Sequence, residues 1–233
     1  MTKHNILTLS GWAQPHDALK RLVPDADHLD YGALSPDDAL KHIKDYHPSM
    51  AVGWSLGGSL LLMAKAHGLI NPDWLVVLGA PLQFVADEQF PIGMGQQTFA
   101  QFYENMSRDP ERASLKFNHL IAYGDTHEKR IVHELESQDY HADWGEWLPW
   151  LDVLAQQHHS TLPLSGLGNI LIIHGKEDII VSHEQSILLS KHAPRGRLEL
   201  LSDCAHAPHL HDAGYVRSLI SQHTGIDLTH NAA

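Results

Sequence analysis

Residues Ala51–Leu60 read AVGWSLGGSL. One serine, Ser55, stands between Gly53 and Gly57 in the spacing G-x-S-x-G. That spacing has two meanings. A serine between a strand and a helix can simply cap the helix. The same serine on a sharp strand-to-helix turn is a nucleophile lifted above a sheet, and its strained backbone demands small neighbours. The flanks suit such a turn: Met50–Gly53 is strand-like, and Leu56–His67 is apolar nearly all round, as a buried helix is. On a nucleophile turn the amide of Leu56 lies at a helix N-terminus, where it can donate to an oxyanion.

The pentapeptide alone leaves both meanings open, so the rest of the chain has to supply a base and an orienting acid. With a nucleophile of this kind they follow in the order Ser, Asp, His. The strand-like run Ile170–His174 leads into Gly175-Lys176-Glu177-Asp178. Asp178 is the expected acid, and Glu177 should point the other way. After Leu198–Leu201 comes Ser202-Asp203-Cys204-Ala205-His206-Ala207-Pro208-His209. His206, between the last strand and the last helix, is the expected base. His209 and His211 fall at the start of a helix, and Asp203 lies too near His206 in sequence to support its ring. Cys204 reads as a packed small residue. The second oxyanion donor is expected in the loop after the first strand, Ser10-Gly11-Trp12, as the amide of Trp12, whose indole can also wall an acyl pocket.

Outward from these motifs, strand and helix signals alternate. Ile6–Leu9 reads as a strand, Pro15–Leu22 has helical spacing, and Asp27–Tyr31 suits a short strand. Ser35-Pro36-Asp37-Asp38 is a helix start with a serine cap and proline at the first position. Trp74–Leu78 and Asn169–His174 are strands, His183–His192 a helix, Arg197–Leu201 a strand and Ala213–His223 a final helix. Residues 83–165 break the alternation and read as helices, with Trp144, Trp147 and Trp150 late among them. The expectation is an α/β protein: a mostly parallel sheet with helices on both faces. Residues 1–82 and 166–233 form the core, and 83–165 an inserted helical cap.

Composition narrows the function classes. The 233 residues carry a formal net charge of −12, which argues against a nucleic-acid partner. No run approaches the ~18 apolar residues of a membrane span, and the first residues do not read as a signal peptide. Cys204 is the single cysteine, so an internal disulfide is impossible and a cytoplasmic location is expected. Among twenty histidines, the pairs His158–His159 and His209/His211 lack the accompanying ligands of a metal site. No metal or cofactor is expected, no membrane is a partner, and a monomer is expected.

Ser10-Gly11-Trp12, Gly53-Trp54-Ser55-Leu56-Gly57-Gly58, Gly175…Asp178…Val181 and His206-Ala207-Pro208 together resemble the α/β-hydrolase carboxylesterases of biotin synthesis. Those enzymes hydrolyse the methyl ester of pimeloyl-acyl-carrier protein. The resemblance implies an α/β-hydrolase fold and an acyl-carrier protein as partner. It places Trp12, Trp54, Ser55, Leu56 and His206 around the substrate. In the cap it implies an acyl channel along Phe117, Asn118, His119, Leu120 and Ile121. It also implies a basic face for the carrier at Arg112, Lys116, Lys129 and Arg130. Arg112 and Lys116, four apart, share one side of a helix on spacing alone. Some positions depart from the family pattern: Ser10 replaces its usual histidine, Tyr31-Gly32-Ala33-Leu34 is all that remains of a Gly-rich turn, and His133 replaces an arginine. The same three catalytic residues also suit a general short-chain carboxylesterase or a C–C bond hydrolase, and the fold alone suits a non-catalytic binding protein.

Overall fold

The computed structural model describes residues 5–138, 140, 142–158 and 162–228. Its strands are β1 (Ile6–Leu9), β2 (Asp27–His28), β3 (Met50–Trp54), β4 (Trp74–Leu78), β5 (Asn169–Gly175) and β6 (Arg195–Leu201). Among the described residues they form a six-stranded sheet in the order β2-β1-β3-β4-β5-β6. Every neighbouring pair is parallel. β1 and β3 are buried at every position, and β4 and β5 at all but the first. Strands covered on both faces have no solvent side, which is why WLVVL and its like read as unbroken apolar runs.

Parallel neighbours require crossovers. Helix α1 (Pro36–Asp45) leads into β3, α2 (Leu56–Ala66) joins β3 to β4, and α7 (Glu184–His192) joins β5 to β6. All step the same way across the sheet, so right-handed crossovers place them on one face. The β1–β2 connection steps the other way and takes the opposite face. Helix α8 (Pro208–His211) precedes α9 (Ala213–Thr224), whose Arg217 donates to the Arg21 carbonyl at 2.5 Å and so sets α9 beside that connection. Between β4 and β5 come α3 (Gln96–Arg108), α4 (Pro110–Ala122), α5 (Glu128–Glu136) and α6 (Trp144–Gln156). Their starts are local chemistry: Asp109 caps α4 with Pro110 at its first position, and Asp143 caps α6. Among the described residues no helix is long and apolar enough to cross a membrane.

The structure departs from the sequence reading in three places. Pro15–Leu22 forms successive turns instead of a helix, with three-residue bonds such as Ala18 N to Pro15 O at 3.0 Å. Only Asp27 and His28 of the expected strand pair with β1. Residues 83–95, read as helical, are irregular apart from a bridge between Val85 and Met94.

Glycines in the quoted segment are dictated by contact. A Cβ on Gly57 would lie 2.4 Å from the carbonyl oxygens of Leu9 and Ser10, and one on Gly53 would lie 2.5 Å from the Gly58 Cα. These neighbours are backbone and cannot rotate away. Gly57→Ala is therefore expected to lose about 1–3 kcal/mol of stability. Gly166→Ala, where an added Cβ meets nothing within 4 Å, should scarcely change it. Thermal melts of the two variants check this, and equal melting temperatures would contradict the close contact.

Candidate functional site

Because the strands are parallel and in register, their carboxyl ends share one edge. Leu9 pairs with Gly53, Trp54 with Leu78, Leu78 with Ile173 and Gly175 with Leu201. The segments leaving that edge are Ser10–Trp12, Ser55, Lys176–Asp178 and Ser202–His206, which is where an open α/β sheet gathers a site.

Ser55 immediately precedes α2 with φ 52° and ψ −120°, and its side chain makes no capping hydrogen bond. The hydroxyl is directed elsewhere: Ser55 Oγ lies 2.9 Å from His206 Nε2. His206 Nδ1 lies 2.7 Å from Asp178 Oδ2. A carboxylate only accepts, so Nδ1 carries the ring proton and Nε2 is left to accept from the serine. Asp178 Oδ1 accepts the amides of Ile180 and Val181, both at 2.9 Å. Burial alone would raise the Asp178 carboxyl. The charge of His206 and hydrogen bonds from His174 and His206 outweigh it and hold the group well below the usual carboxylate range. The structure thus brings Ser55, His206 and Asp178 into one hydrogen-bonded chain and leaves Glu177 outside it.

Leu56 and Trp12 are buried, and among the described residues neither amide donates a hydrogen bond. The next amide, Gly57 N, is taken by Ser10 O at 3.1 Å. The Trp12 indole donates to Trp147 O at 2.9 Å and meets Phe102 and Phe117 edge-on, with centroids 5.7 and 5.6 Å apart. The Trp54 side chain is committed to the loop of His206: its indole N–H donates to His206 O at 2.9 Å.

The expected cap residues scatter over several surroundings. Phe117 and Leu120, with Arg112 and Lys116 beside them, line a groove of about 820 Å³ between α3 and α4. Asn118 lines a smaller pocket of about 210 Å³ next to Trp12. His119 faces Glu136 at 3.6 Å. Ile121 is buried, and its carbonyl accepts the His206 amide at 3.1 Å. Lys129 is exposed on α5. Arg130 is spent on the Leu210 and His211 carbonyls at 2.7 and 2.8 Å. The sequence reading missed Arg108, a further cation of the groove. Its four-residue spacing to Arg112 and Lys116 was the available signal, hidden by the helix break at Asp109. It also missed His174, which meets Asp178 Oδ2 at 3.0 Å.

Behind the His206 loop, Asp125, Cys204 and His211 bring their polar atoms within 4.8 Å of one another. Such donors suit a transition metal. Here, however, Asp125 already accepts from His127 N at 2.7 Å, Ala205 N at 3.0 Å and His211 Nδ1 at 2.9 Å. Burial and the Asp125 charge push the Cys204 thiol far up, so it stays protonated. The cluster works as a clamp on the loop. Of the histidine pairs weighed in the sequence, His159 lies outside the described residues. His209 and His211 have different surroundings: His211 holds Asp125, while His209 is buried against Trp54, ring centroids 4.4 Å apart.

A family model described as the alpha/beta hydrolase family matches residues 7–218. Over 167 residues the chain is 27% identical to a pimeloyl-[acyl-carrier protein] methyl ester esterase of Nitrosomonas europaea, covering 68% of this chain and 64% of that protein. It is 25% identical to a biotin biosynthesis bifunctional protein of Cellvibrio japonicus, over 90% of this chain and 45% of that protein. The chain thus spans less than two thirds of the length of these relatives. Among solved structures, an esterase from Exiguobacterium antarcticum superposes with a TM-score of 0.77 at 17% identity, covering 95% of this chain and 92% of that one. A hydrolase from Oleispira antarctica gives 0.80 at 14% identity, covering 95% and 91%. These two likenesses are of fold.

The His209 ring yields a pH prediction. Neither ring nitrogen has a partner among the described residues. Burial first, and His206 second, lower its pKa from 6.5 to about 3. Below 6.5 the unfolded chain binds a proton that the folded one refuses. Stability is therefore lost as pH falls from 6.5 toward 3, at a limiting slope of about 1.4 kcal/mol per pH unit from this group. Urea unfolding of wild type and His209→Phe from pH 7 to 4 should show a flatter decline in the variant. Parallel curves would contradict the assignment.

Proposed function

The chain belongs to the alpha/beta hydrolase family, and we propose that it is a serine carboxylesterase acting on the methyl ester of a pimeloyl group carried by an acyl-carrier protein. The observation that carries the reading is the Ser55–His206–Asp178 chain of hydrogen bonds. It is supported by the buried residues Leu56 and Trp12, which follow strand ends at the same sheet edge and whose amides donate to no acceptor among the described residues. Buried backbone amides seldom go unpaired. Donors waiting next to a serine hydroxyl are what an oxyanion hole requires. The name of the Nitrosomonas europaea relative supports the substrate class, and that of the Cellvibrio japonicus relative supports biotin synthesis.

In this mechanism Ser55 Oγ attacks the ester carbonyl while His206 Nε2 takes its proton. The carbonyl electrons move onto oxygen, where the amides of Leu56 and Trp12 hold the negative charge. Collapse breaks the bond to the methoxy oxygen, and His206 returns the proton to release methanol. Water, deprotonated by His206, then attacks the acyl-serine, Ser55 departs with that proton, and the carboxylic acid so freed ionises by giving its remaining proton to water. Asp178 keeps the imidazole oriented and stabilises its charged form throughout. Neither a metal nor a cofactor enters these steps.

Residues 83–165 serve as the cap over a core of 1–82 and 166–233. The groove between α3 and α4 has an apolar wall at Phe102, Phe117 and Leu120 and cations at Arg108, Arg112 and Lys116. That combination suits an acyl chain entering from an acidic carrier. On a chain with net charge −12, such a partner needs a local positive face to approach. The same reading puts the reaction in the cytoplasm, which the single cysteine supports.

The test compares hydrolysis of a carrier-linked pimeloyl methyl ester with that of a free short-chain ester. Ser55→Ala should lower both by roughly 10³ or more. Arg112→Glu with Lys116→Glu should slow only the carrier-linked substrate, and added salt should weaken the wild type on it. Equal losses on both substrates make the face structural. No loss on either makes the protein a general esterase. Wild-type turnover by Ser55→Ala ends the serine mechanism.

A further inference from the structure

His174, at the end of β5, is a fully buried titratable side chain that the proposed chemistry leaves idle. Its Nε2 lies 2.9 Å from Val181 O and 3.0 Å from Asp178 Oδ2. A carbonyl and a carboxylate only accept, so Nε2 carries the ring proton. Nδ1 lies 2.6 Å from Ser186 Oγ on α7. A neutral ring accepts the serine hydroxyl there, and every polar atom of the imidazole is paired without a second buried charge. Ser186 thereby fixes the tautomer that aims a proton at Asp178.

Asp178 is saturated as a result. Oδ1 takes two backbone amides at 2.9 Å, and Oδ2 takes His206 Nδ1 at 2.7 Å and His174 Nε2 at 3.0 Å. We propose that His174, held by Ser186, is a positioning residue for the reaction: its N–H fills the remaining acceptor site of Asp178 and so sets how strongly Asp178 draws on the proton of His206. This rests on the serine mechanism above and assigns it two further residues. The packed loop of Asp178 explains why the contact matters. An oxygen shared by two ring N–H groups cannot swing toward one without weakening the other, so the carboxylate plane is fixed from both sides.

The effect has a sign. With one donor fewer, Asp178 keeps more negative charge for His206 and stabilises the imidazolium. The base then stays protonated to higher pH, and the acid limb of activity moves up. Other titratable groups face the same region: His209 acts on His206 from α8, and Cys204, with Asp125 behind it, lies near Asp178. Each stays in place in the variants below, so differences between the variants report the His174 contact.

The experiment measures kcat/KM of a short chromogenic ester from pH 5 to 9 for wild type, His174→Leu, His174→Gln and Ser186→Ala. The low-field proton resonance of the His206 Nδ1–H is followed across the same range. In His174→Leu the acid limb and the resonance should both move up by about 0.5–1 pH unit, roughly half of what one hydrogen bond to a charged acceptor is worth, because the effect reaches His206 only through Asp178. His174→Gln, whose amide N–H reaches the same oxygen, should restore the wild-type limb. Ser186→Ala, which frees the ring proton to change sides, should fall between. A lower kcat with an unmoved limb assigns His174 a merely structural part and overturns the proposal. If His174→Leu does not fold, Ser186→Ala decides alone, and a wild-type limb there overturns it. The resonance titrates whether or not the protein turns over. Failure of the serine mechanism is thus seen separately, as an active Ser55→Ala.

Discussion

At the end of β3 the backbone turns through Ser55 with φ 52°, a region non-glycine residues rarely occupy and that costs on the order of 1–3 kcal/mol. Contacts on both sides hold it there. Ser55 N donates to Leu78 O on β4 at 2.9 Å, and Gly57 N donates to Ser10 O just beyond β1 at 3.1 Å. Gly53 and Gly57 let the helix start sit directly on the strands. The turn is thus fastened to both neighbouring strands. The strain is what removes Ser55 Oγ from capping α2 and aims it at His206. Were the residue in ordinary extended backbone, its hydroxyl would cap the helix, as Ser35 does for α1.

The loop of His206 depends on more than the sheet. Ala205 N donates to Asp125, His206 N to Ile121 O, and Thr126 N to Asp203 O, while Arg130 holds two carbonyls of α8. The Trp54 indole closes the loop from below through the His206 carbonyl. The corner between α4 and α5 is therefore mechanically part of the site. The helices between β4 and β5 supply the groove of Phe102 and Phe117 and also help to fix where the imidazole stands. Sequence changes at that corner are expected to act on the His206 imidazole at a distance, through these backbone contacts.

Much of this was legible in the sequence because it rests on local rules. Continuous apolar runs marked the buried strands, Ser35-Pro36 marked α1, and the order Ser55, Asp178, His206 followed the strand ends. Pro15–Leu22 misled because its leucines are buried at helical spacing while its backbone closes i→i−3 turns, such as Leu22 N to Leu19 O at 2.9 Å. Residues 83–95 misled because apolar side chains there bury an irregular segment. His174 was invisible for another reason. In a strand buried on both faces a histidine looks like one more core residue, and only the fold brings Ser186 and Asp178 to its two nitrogens. Arg130, counted among the cap's cations, could not be known from the sequence to be committed to α8.

The account stands on Ser55 being a nucleophile activated by His206, and a fluorophosphonate probe tests that most directly. The probe bonds covalently to an activated serine and leaves ordinary hydroxyls alone, and the labelled residue is located by mass spectrometry of the digested protein. The account predicts a single label on Ser55, lost in His206→Ala although the serine remains. No label, a label on another residue, or undiminished labelling in His206→Ala would contradict it.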